Sequence, residues 1–214
     1  MYFEIDRVEI LLENAGKKFY REWIFRRMNL SFQSGEQIAL LGPNGSGKST
    51  LLQVISGAIL PTEGTIVYRN ATGLIPAESI YREVAISAPY LELIDEFTFG
   101  EIVRLHFHFK KVLPGFTMEE IIVQSGLSHS KDKVYKYFSS GMKQRVKLAL
   151  AFFSDVNMLL LDEPCANLDQ DGINWYQDLV RQFSLNRLMV ICSNTVEEEY
   201  NFCSRKLLMT DFKP

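Results

Sequence analysis

The sequence predicts an α/β fold with a parallel sheet at its centre and a helical insert. Three observations indicate this fold: a glycine-rich loop between an apolar strand and a helix, strands that alternate with helices in the last third, and helical periodicity through the middle. The chain has 214 residues, of which 47% are hydrophobic, enough for one large domain or a core with a subdomain.

Strands dominate the first third of the chain. We predict them at Glu4–Leu12, around Asn29–Phe32, at Gln37–Leu41 and at Thr65–Tyr68. A turn at Pro61–Gly64 should precede the last strand, because proline and glycine both favour turns. This part of the chain is therefore predicted to be mainly sheet.

The middle of the chain, from about Leu91 to Ser154, has the apolar spacing of helices. The spacing predicts helices over Phe99–Phe109, Met118–Ser125 and Gly141–Phe153. Because they follow one another without intervening strands, they should form a helical subdomain inserted into the sheet.

Strands and helices alternate again in the final third. Met158–Leu161 and Leu188–Cys192 are continuous apolar runs, typical of buried parallel strands. Helices are predicted at Gly172–Phe183 and Val196–Cys203. This alternation indicates a parallel sheet at the core of the domain.

The glycine-rich loop fits the phosphate-binding pattern GxxxxGK[ST]. Its residues are Gly42, Pro43, Asn44, Gly45, Ser46, Gly47, Lys48, Ser49 and Thr50. The strand Gln37–Leu41 precedes it and the helical segment Leu51–Ile55 follows it, which is the context the motif needs. Glycines let backbone N–H groups converge on one anion, and the helix N-terminus adds partial positive charge. With Lys48 on the β- and γ-phosphates and Ser49 on Mg²⁺, the chain is predicted to bind a nucleoside triphosphate.

Two carboxylates end the apolar strand that begins the final third. Asp162, at the end of the strand, could hold Mg²⁺ directly or through water, and Glu163 could polarise a water that attacks the γ-phosphate. An Asp-Glu pair by itself also suits a surface turn after a core strand. Its pairing with a phosphate-binding loop favours the catalytic interpretation.

A serine-glycine motif begins the helix that precedes this strand. It consists of Phe138-Ser139-Ser140-Gly141-Met142-Lys143-Gln144-Arg145. Because it stands between the phosphate loop and the acidic strand, the chain resembles the ATP-binding cassette (ABC) superfamily, specifically the nucleotide-binding subunits of ABC transporters. Ser139 and Gly141 match the family's LSGGQ motif, whereas Phe138, Ser140 and Met142 depart from its commonest form.

The resemblance assigns nucleotide contacts to this motif and to a later loop. In the family, the serine-glycine motif binds the γ-phosphate of ATP that the other protomer holds, which implies this role for Ser139, Ser140 and Gly141. The stretch Ala166–Asp169 resembles the family's D-loop, and Asp169 would lie at the dimer contact. The implied assembly is a homodimer, or a paired cassette, with ATP at its interface.

The resemblance covers essentially the whole chain and implies its architecture. The implied fold is a P-loop NTPase core with a parallel sheet, an N-terminal antiparallel β-subdomain and a helical subdomain insert. A single ABC domain would span residues 1–214, with the core at about 1–90 and 155–214 and the helical subdomain at about 91–154. The implied cofactors are ATP and Mg²⁺. A separate transmembrane permease subunit would dock near Tyr90 and Leu91–Phe109, which places the chain in the cytoplasm at the inner face of the cell membrane.

Adenine recognition has three aromatic candidates. The family stacks the base on an aromatic residue upstream of the phosphate loop, and Phe19 stands where that residue is expected. Stacking requires only a π-face, so Phe can replace the more frequent Tyr. Tyr20 and Trp23 are near enough in sequence to compete, and the choice stays open at this point.

Two positions depart from the family in ways that concern catalysis. Tyr90 stands where the family has a glutamine that contacts Mg²⁺ or the attacking water, and Asn194 stands where it has a histidine that bonds the γ-phosphate. No glutamine occurs between Gln53 and Gln124, and the last histidine is His129. Asn194 can donate an amide hydrogen bond but cannot shuttle a proton. We therefore expect ATP hydrolysis that is real but slow.

Composition and the departures leave alternatives to the transporter interpretation. The net charge of −3 and pI of about 5.7 do not suggest a nucleic-acid partner. Apolar runs fall short of the ~20 residues that span a bilayer, and three scattered cysteines suit a reducing compartment. The alternatives are a soluble, non-transport ABC ATPase, for example in cofactor assembly, and an ATP-binding module with little or no hydrolysis.

Overall fold

The computed structural model describes residues 7–213, whose strands form two sheets. One sheet has five parallel strands in the order β6-β7-β8-β3-β9. These strands are β3 (Gln37–Leu41), β6 (Val84–Ser87), β7 (Met158–Asp162), β8 (Leu188–Ser193) and β9 (Arg205–Leu208). The other sheet is antiparallel, with the order β2-β1-β4-β5. Its strands are β1 (Glu9–Phe19), β2 (Glu22–Gln33), β4 (Glu63–Asn70) and β5 (Gly73–Ile75).

Five α-helices connect the strands within residues 7–213. They are α1 (Lys48–Ile55), α2 (Phe99–Phe109), α3 (Met118–Gln124), α4 (Ser140–Phe152) and α5 (Gln170–Phe183). Helices α2 to α4 follow one another between β6 and β7, so the predicted α/β fold class is confirmed. The finer division into a core at 1–90 and 155–214 and a helical subdomain at 91–154 stays a prediction. Among residues 7–213, none of the helices combines the length and apolarity that crossing a bilayer requires.

The central strands bury side chains on both faces of the parallel sheet. In β7, Met158 and Leu160 pack into an apolar cluster with α1 and the antiparallel sheet, whereas Leu159 and Leu161 pack into a cluster with the helices α2 to α5. Side chains alternate along a strand, so neighbours in the sequence enter opposite clusters. Apolar residues on both faces explain why these strands are continuous apolar runs in the sequence.

The predicted strand at Glu4–Leu12 was wrong in extent. Part of it, Glu4–Asp6, lies outside the described residues, and β1 begins at Glu9 and continues to Phe19. Register shifts between Leu12 and Ala15 accommodate Asn14, whose φ is 48°, and the antiparallel pairing then resumes. The residues between Leu12 and Ala15 interrupt the alternation of polar and apolar side chains. The strand predicted from that alternation therefore ended at Leu12, before the actual end of β1.

Two other boundaries differ from the prediction. The predicted turn at Pro61–Gly64 was too long, because Glu63 already pairs with Gly16 as the first residue of β4. The predicted helix at Val196–Cys203 was wrong: only Glu197–Glu199 forms a single 3₁₀ turn. The chain leaves helical geometry at Tyr200, with φ −143° and ψ 8°, and the Glu199 side chain is occupied by bonds to other segments.

Arg187 holds the end of α4 to the start of β8. Its side chain is 2% exposed, and Nη1 donates to the carbonyl oxygen of Phe152 at 2.8 Å. Burial lowers the pKa of Arg187 to about 10, and the charge of Asp155 offsets part of this effect. The guanidinium therefore stays charged at neutral pH while it satisfies a carbonyl at the end of the helix.

Arg187→Ala is expected to lower the free energy of unfolding by about 2–4 kcal/mol, because it leaves a cavity and an unpaired buried carbonyl. Urea unfolding measures this change. Arg181→Ala is the matched control, since Arg181 makes only an exposed ion pair with Asp178 and should matter little. Equal losses in both variants would contradict a structural role specific to Arg187.

Candidate functional site

The glycine-rich loop joins β3 to α1 at the carboxyl edge of the parallel sheet. The backbone N–H of Ser46 donates to the carbonyl of Pro43 at 3.1 Å, which closes the loop into a tight turn. Gly47 has φ 102°, and an added Cβ would lie 2.5 Å from Cγ2 of Ile24. Only glycine fits there without displacing Ile24, so both the backbone geometry and the space require it.

Lys48 is the first residue of α1 and is 5% exposed. Its Nζ donates to the carbonyl oxygens of Gly42 at 2.7 Å and Pro43 at 3.3 Å, so the ammonium group lies against the loop. No side chain caps the N-terminus of α1. Backbone N–H groups, the helix dipole and an ammonium group therefore meet at one point, an arrangement that attracts phosphate.

Asp162 is the last residue of β7 and is 3% exposed. Burial raises the pKa of its carboxyl group, and a hydrogen bond from the Ser49 side chain offsets part of this rise. The neighbouring charge of Glu163 also raises the pKa, whereas Lys48 lowers it. The strand and the helix thus place one carboxylate and one hydroxyl side by side, and their role as Mg²⁺ ligands stays a prediction.

Glu163 follows Asp162 with a left-handed backbone, φ 47°. Its N–H donates to the carbonyl oxygen of Cys192 in β8 at 3.0 Å, which keeps the turn against the neighbouring strand. A positive φ is unfavourable for a residue with a side chain, so the surrounding contacts must hold it. The result is that Glu163 lines the cavity above the glycine-rich loop.

The two residues that depart from the family pattern also lie near the loop. Nδ2 of Asn194, just after β8, donates to Oδ1 of Asn44 at 3.3 Å. Tyr90 lies beside Gln53 and Asp162: burial raises the pKa of its hydroxyl to about 12, the hydrogen bond with Gln53 offsets part of the rise, and the charge of Asp162 adds to it. The hydroxyl of Tyr90 is therefore neutral at physiological pH.

A cavity of about 420 Å³ lies above the glycine-rich loop. Residues of the loop from Asn44 to Thr50, together with Phe19, Ile24 and Glu163, line it. Phe19 is 45% exposed and borders the cavity, whereas Tyr20 and Trp23 do not. Of the three aromatic candidates, Phe19 is the one that lines this cavity; its contact with a base stays a prediction.

The serine-glycine motif and Asp169 do not line this cavity. Ser139 is the N-cap of α4 and its Oγ accepts from the N–H of Met142 at 3.2 Å. A Cβ on Gly141 would lie 2.7 Å from the carbonyl oxygen of Asn167, so α4 packs closely against the loop after Glu163. Asp169 caps α5 by accepting from the N–H of Gly172 at 2.8 Å.

Three residues near the site were missed by the sequence reasoning. Ile24 packs against Gly47 and lines the cavity, but no local pattern distinguishes it from other strand residues. Gln53 could have been found, because it lies four residues after Ser49 and so shares its face of α1. Glu199 is buried between segments that are distant in sequence, and a run of three glutamates gave no sign of it.

The residues present fit a nucleoside triphosphate with a divalent cation. The loop and Lys48 provide N–H donors and positive charge, and the Oγ of Ser46 is buried without a hydrogen-bond partner among the described residues. Within residues 7–213 no group of three or more His, Cys, Asp or Glu is arranged to hold a metal ion. Ser49 and Asp162 suit Mg²⁺, which typically takes one or two protein ligands and completes its shell with water and phosphate. Tyr90, the third residue predicted at the metal, lies beside Asp162, and its part there stays a prediction.

Sequence comparisons show which known proteins the chain resembles. The ABC transporter family pattern matches residues 25–166. An uncharacterised ABC transporter ATP-binding protein of Bacillus subtilis, YybJ, is 29% identical over 203 residues, covering 94% of this chain and 92% of that protein. The thiamine import ATP-binding protein ThiQ of Yersinia pestis is 32% identical over 190 residues, with coverages of 86% and 79%. The sulfate/thiosulfate import ATP-binding protein CysA of Mesostigma viride is 35% identical over 196 residues, but the match spans only 54% of that protein.

Solved structures share the fold at lower sequence identity. An ATP-binding subunit of an ABC transporter superposes with a TM-score of 0.79 at 22% identity, covering 93% of this chain and 85% of that one. A bacterial Atm1-family ABC exporter with ATP bound superposes with a TM-score of 0.72 at 20% identity, covering 89% of this chain and 35% of that one. At such identities, these likenesses show the fold alone.

Proposed function

Because the chain belongs to the ABC transporter family as an ATP-binding subunit, we propose that two copies of it close around two ATP molecules and thereby drive a separate membrane subunit. Membership of this family implies ATP hydrolase activity with Mg²⁺. The observation that carries the proposal is the cavity in which the glycine-rich loop, Lys48 and Glu163 meet. Each of these residues is assigned a separate role in ATP binding or hydrolysis.

The proposed roles follow from where the groups lie. Lys48 and the N–H groups of the loop bind the β- and γ-phosphates, and Phe19 stacks on the base. Ser49 and Asp162 hold Mg²⁺, which neutralises charge on the phosphate oxygens when bound. Glu163 accepts a proton from the attacking water, and Asn194 donates an amide hydrogen bond to the γ-phosphate.

The serine-glycine motif supports the dimer. Ser139, Ser140 and Gly141 begin α4 but lie outside the cavity of their own chain, so in this proposal they face the ATP of the second copy. The exposed N-terminus of α4 offers N–H groups and partial positive charge to that phosphate. Asp169, in the adjacent loop, would lie at the contact between the two copies.

An apolar groove supports the membrane subunit as a partner. It has a volume of about 350 Å³ and is lined by the segment Glu92–Ile94 and by apolar residues of α2, among them Leu105 and Phe109. Phe109 is 76% exposed and Leu105 and Ile94 beside it are also exposed, so the groove presents contiguous apolar surface that a partner can cover. We propose that a cytoplasmic segment of the membrane subunit occupies this groove, which would hold the chain at the inner face of the membrane.

The experiment that tests this function is ATP turnover by the purified chain over a range of protein concentrations, with Glu163→Gln as the blank. Turnover per chain that rises with concentration and disappears in the variant would support an ATPase that acts as a dimer. A constant turnover per chain would contradict the dimer. Absent turnover with retained ATP binding would favour the second candidate, an ATP-binding module, to which the replacements at Tyr90 and Asn194 point.

Asn194→His is expected to raise turnover by about 10-fold or more with little change in ATP affinity, because histidine can carry charge and transfer a proton at the γ-phosphate, whereas asparagine only donates a neutral hydrogen bond. Steady-state kinetics with purified protein measures both quantities. Asn201→His, at another exposed asparagine outside the cavity, is the matched control. An unchanged rate would mean that Tyr90 or another step limits turnover.

A further inference from the structure

Glu199 is a buried carboxylate next to the proposed site. It ends the single 3₁₀ turn after β8 and is 2% exposed. Among residues 7–213 it takes part in none of the ion pairs, so hydrogen bonds alone compensate the loss of water. Burial raises the pKa of Glu199, and the bonds from Ser193 and Cys165 offset part of the rise. Burying a carboxylate costs free energy of folding, so the contacts of Glu199 indicate the function that this cost supports.

Each carboxylate oxygen of Glu199 binds a different segment. Oε1 accepts from the backbone N–H of Cys165 at 2.9 Å, and Oε2 accepts from the hydroxyl of Ser193. The backbone carbonyl of Glu199 also accepts from the hydroxyl of Tyr176 in α5, at 2.9 Å. The side chain therefore bridges the loop after β7 and the end of β8, while the main chain is fixed separately to a helix.

The two bridged segments carry the groups that would act on the γ-phosphate. Cys165 lies two residues after Glu163, and Ser193 directly precedes Asn194. Glu163 has a left-handed backbone, so the loop after β7 depends on its contacts to keep that conformation. Both bonds to Glu199 lie within two residues of the groups they would hold.

We propose that Glu199 is a positioning residue, whose carboxylate holds Glu163 and Asn194 at a fixed separation by bonding Cys165 and Ser193 together. This inference rests on the proposed ATP hydrolysis and adds to it a residue that does not touch the nucleotide. Reaction geometry is sensitive to displacements of about 1 Å, so a bridge between these two segments acts on the rate of hydrolysis rather than on binding.

The test compares two substitutions at Glu199. Glu199→Ala leaves the N–H of Cys165 unpaired and leaves the hydroxyl of Ser193 only its bond to the carbonyl of Val196, at 3.3 Å, so the bridge is lost. We expect kcat to fall by about 10–100-fold, with KM for ATP nearly unchanged. Glu199→Gln keeps the bridge, because its oxygen can accept from Cys165 while its amide donates to Oγ of Ser193, and it should retain most of kcat. Rates are expressed per folded molecule, with the folded fraction measured by urea unfolding.

Two more variants keep the test decisive. Tyr176→Phe removes the bond to the backbone carbonyl of Glu199 but leaves the carboxylate bridge, so kcat should stay near that of the wild type. Ser193→Ala removes one arm of the bridge and should lower kcat several-fold, which gives a result even if Glu199→Ala does not fold. A wild-type kcat per folded molecule in Glu199→Ala, or in Ser193→Ala, would overturn the inference and leave the proposed function standing. A wild-type chain without Glu163-dependent turnover would overturn both.

Discussion

Lys48→Ala is expected to lower the affinity for Mg²⁺-ATP by about 100-fold, equivalent to about 2.7 kcal/mol. The reason is the position of its ammonium group, which lies against the glycine-rich loop at 2.7 Å from the carbonyl of Gly42, where β- and γ-phosphates would lie. Charge-assisted bonds to phosphate are about twice as strong as neutral ones, and alanine provides none. Isothermal titration calorimetry measures the change directly.

Lys111→Ala is the control for charge alone, because Lys111 is exposed and does not line the cavity. The folded fraction of Lys48→Ala must also be measured, since Lys48 bonds the loop in the free protein. Wild-type affinity in a folded Lys48→Ala protein would refute the phosphate-binding assignment of the whole loop.

Glu163→Gln is expected to reduce ATP turnover by about 10²–10⁴-fold while ATP affinity changes little, because the amide keeps the shape of the side chain but cannot accept a proton. Glu163 lines the cavity beside the loop, as a base for the attacking water requires. Steady-state turnover and calorimetry on the same preparation separate the chemical step from binding.

The matched control is Glu198→Gln, an exposed glutamate that does not line the cavity. Its turnover should equal that of the wild type. Persistent turnover in Glu163→Gln would assign the proton transfer to another group, and a loss of ATP binding would show that Glu163 acts on binding instead.

Local patterns were enough to predict several elements. The bounds of α2 and β3 were confirmed, because each has a simple apolar period and a clear boundary. The glycine-rich loop was located by its spacing and flanks, although its binding of ATP stays a prediction. The serine-glycine motif was likewise located, because the start of α4 was predicted to within one residue. Its binding of ATP also stays a prediction.

Other features depend on contacts between distant parts of the chain. The strands β6 and β9 were not predicted, since they are short and owe their extended form to pairing with β7 and β3. The helix predicted after β8 does not form for a similar reason, because the Glu199 carboxylate accepts hydrogen bonds from Cys165 and Ser193. Apart from the bond between Glu199 and Ser193, these pairings join residues 34 or more positions apart, and no local pattern encodes them.

The alternation of side chains along β7 also decides where its last carboxylate points. Met158 and Leu160 face the cluster that contains α1, and Asp162 has the same even parity, so it reaches Ser49 on that helix. The direction of the Asp162 side chain, the proposed Mg²⁺ ligand, is therefore set by its position in the alternation of side chains along β7. Inserting or deleting one residue within β7 would reverse this parity, turning the carboxylate toward the helical side while every apolar neighbour beyond the change also swapped clusters.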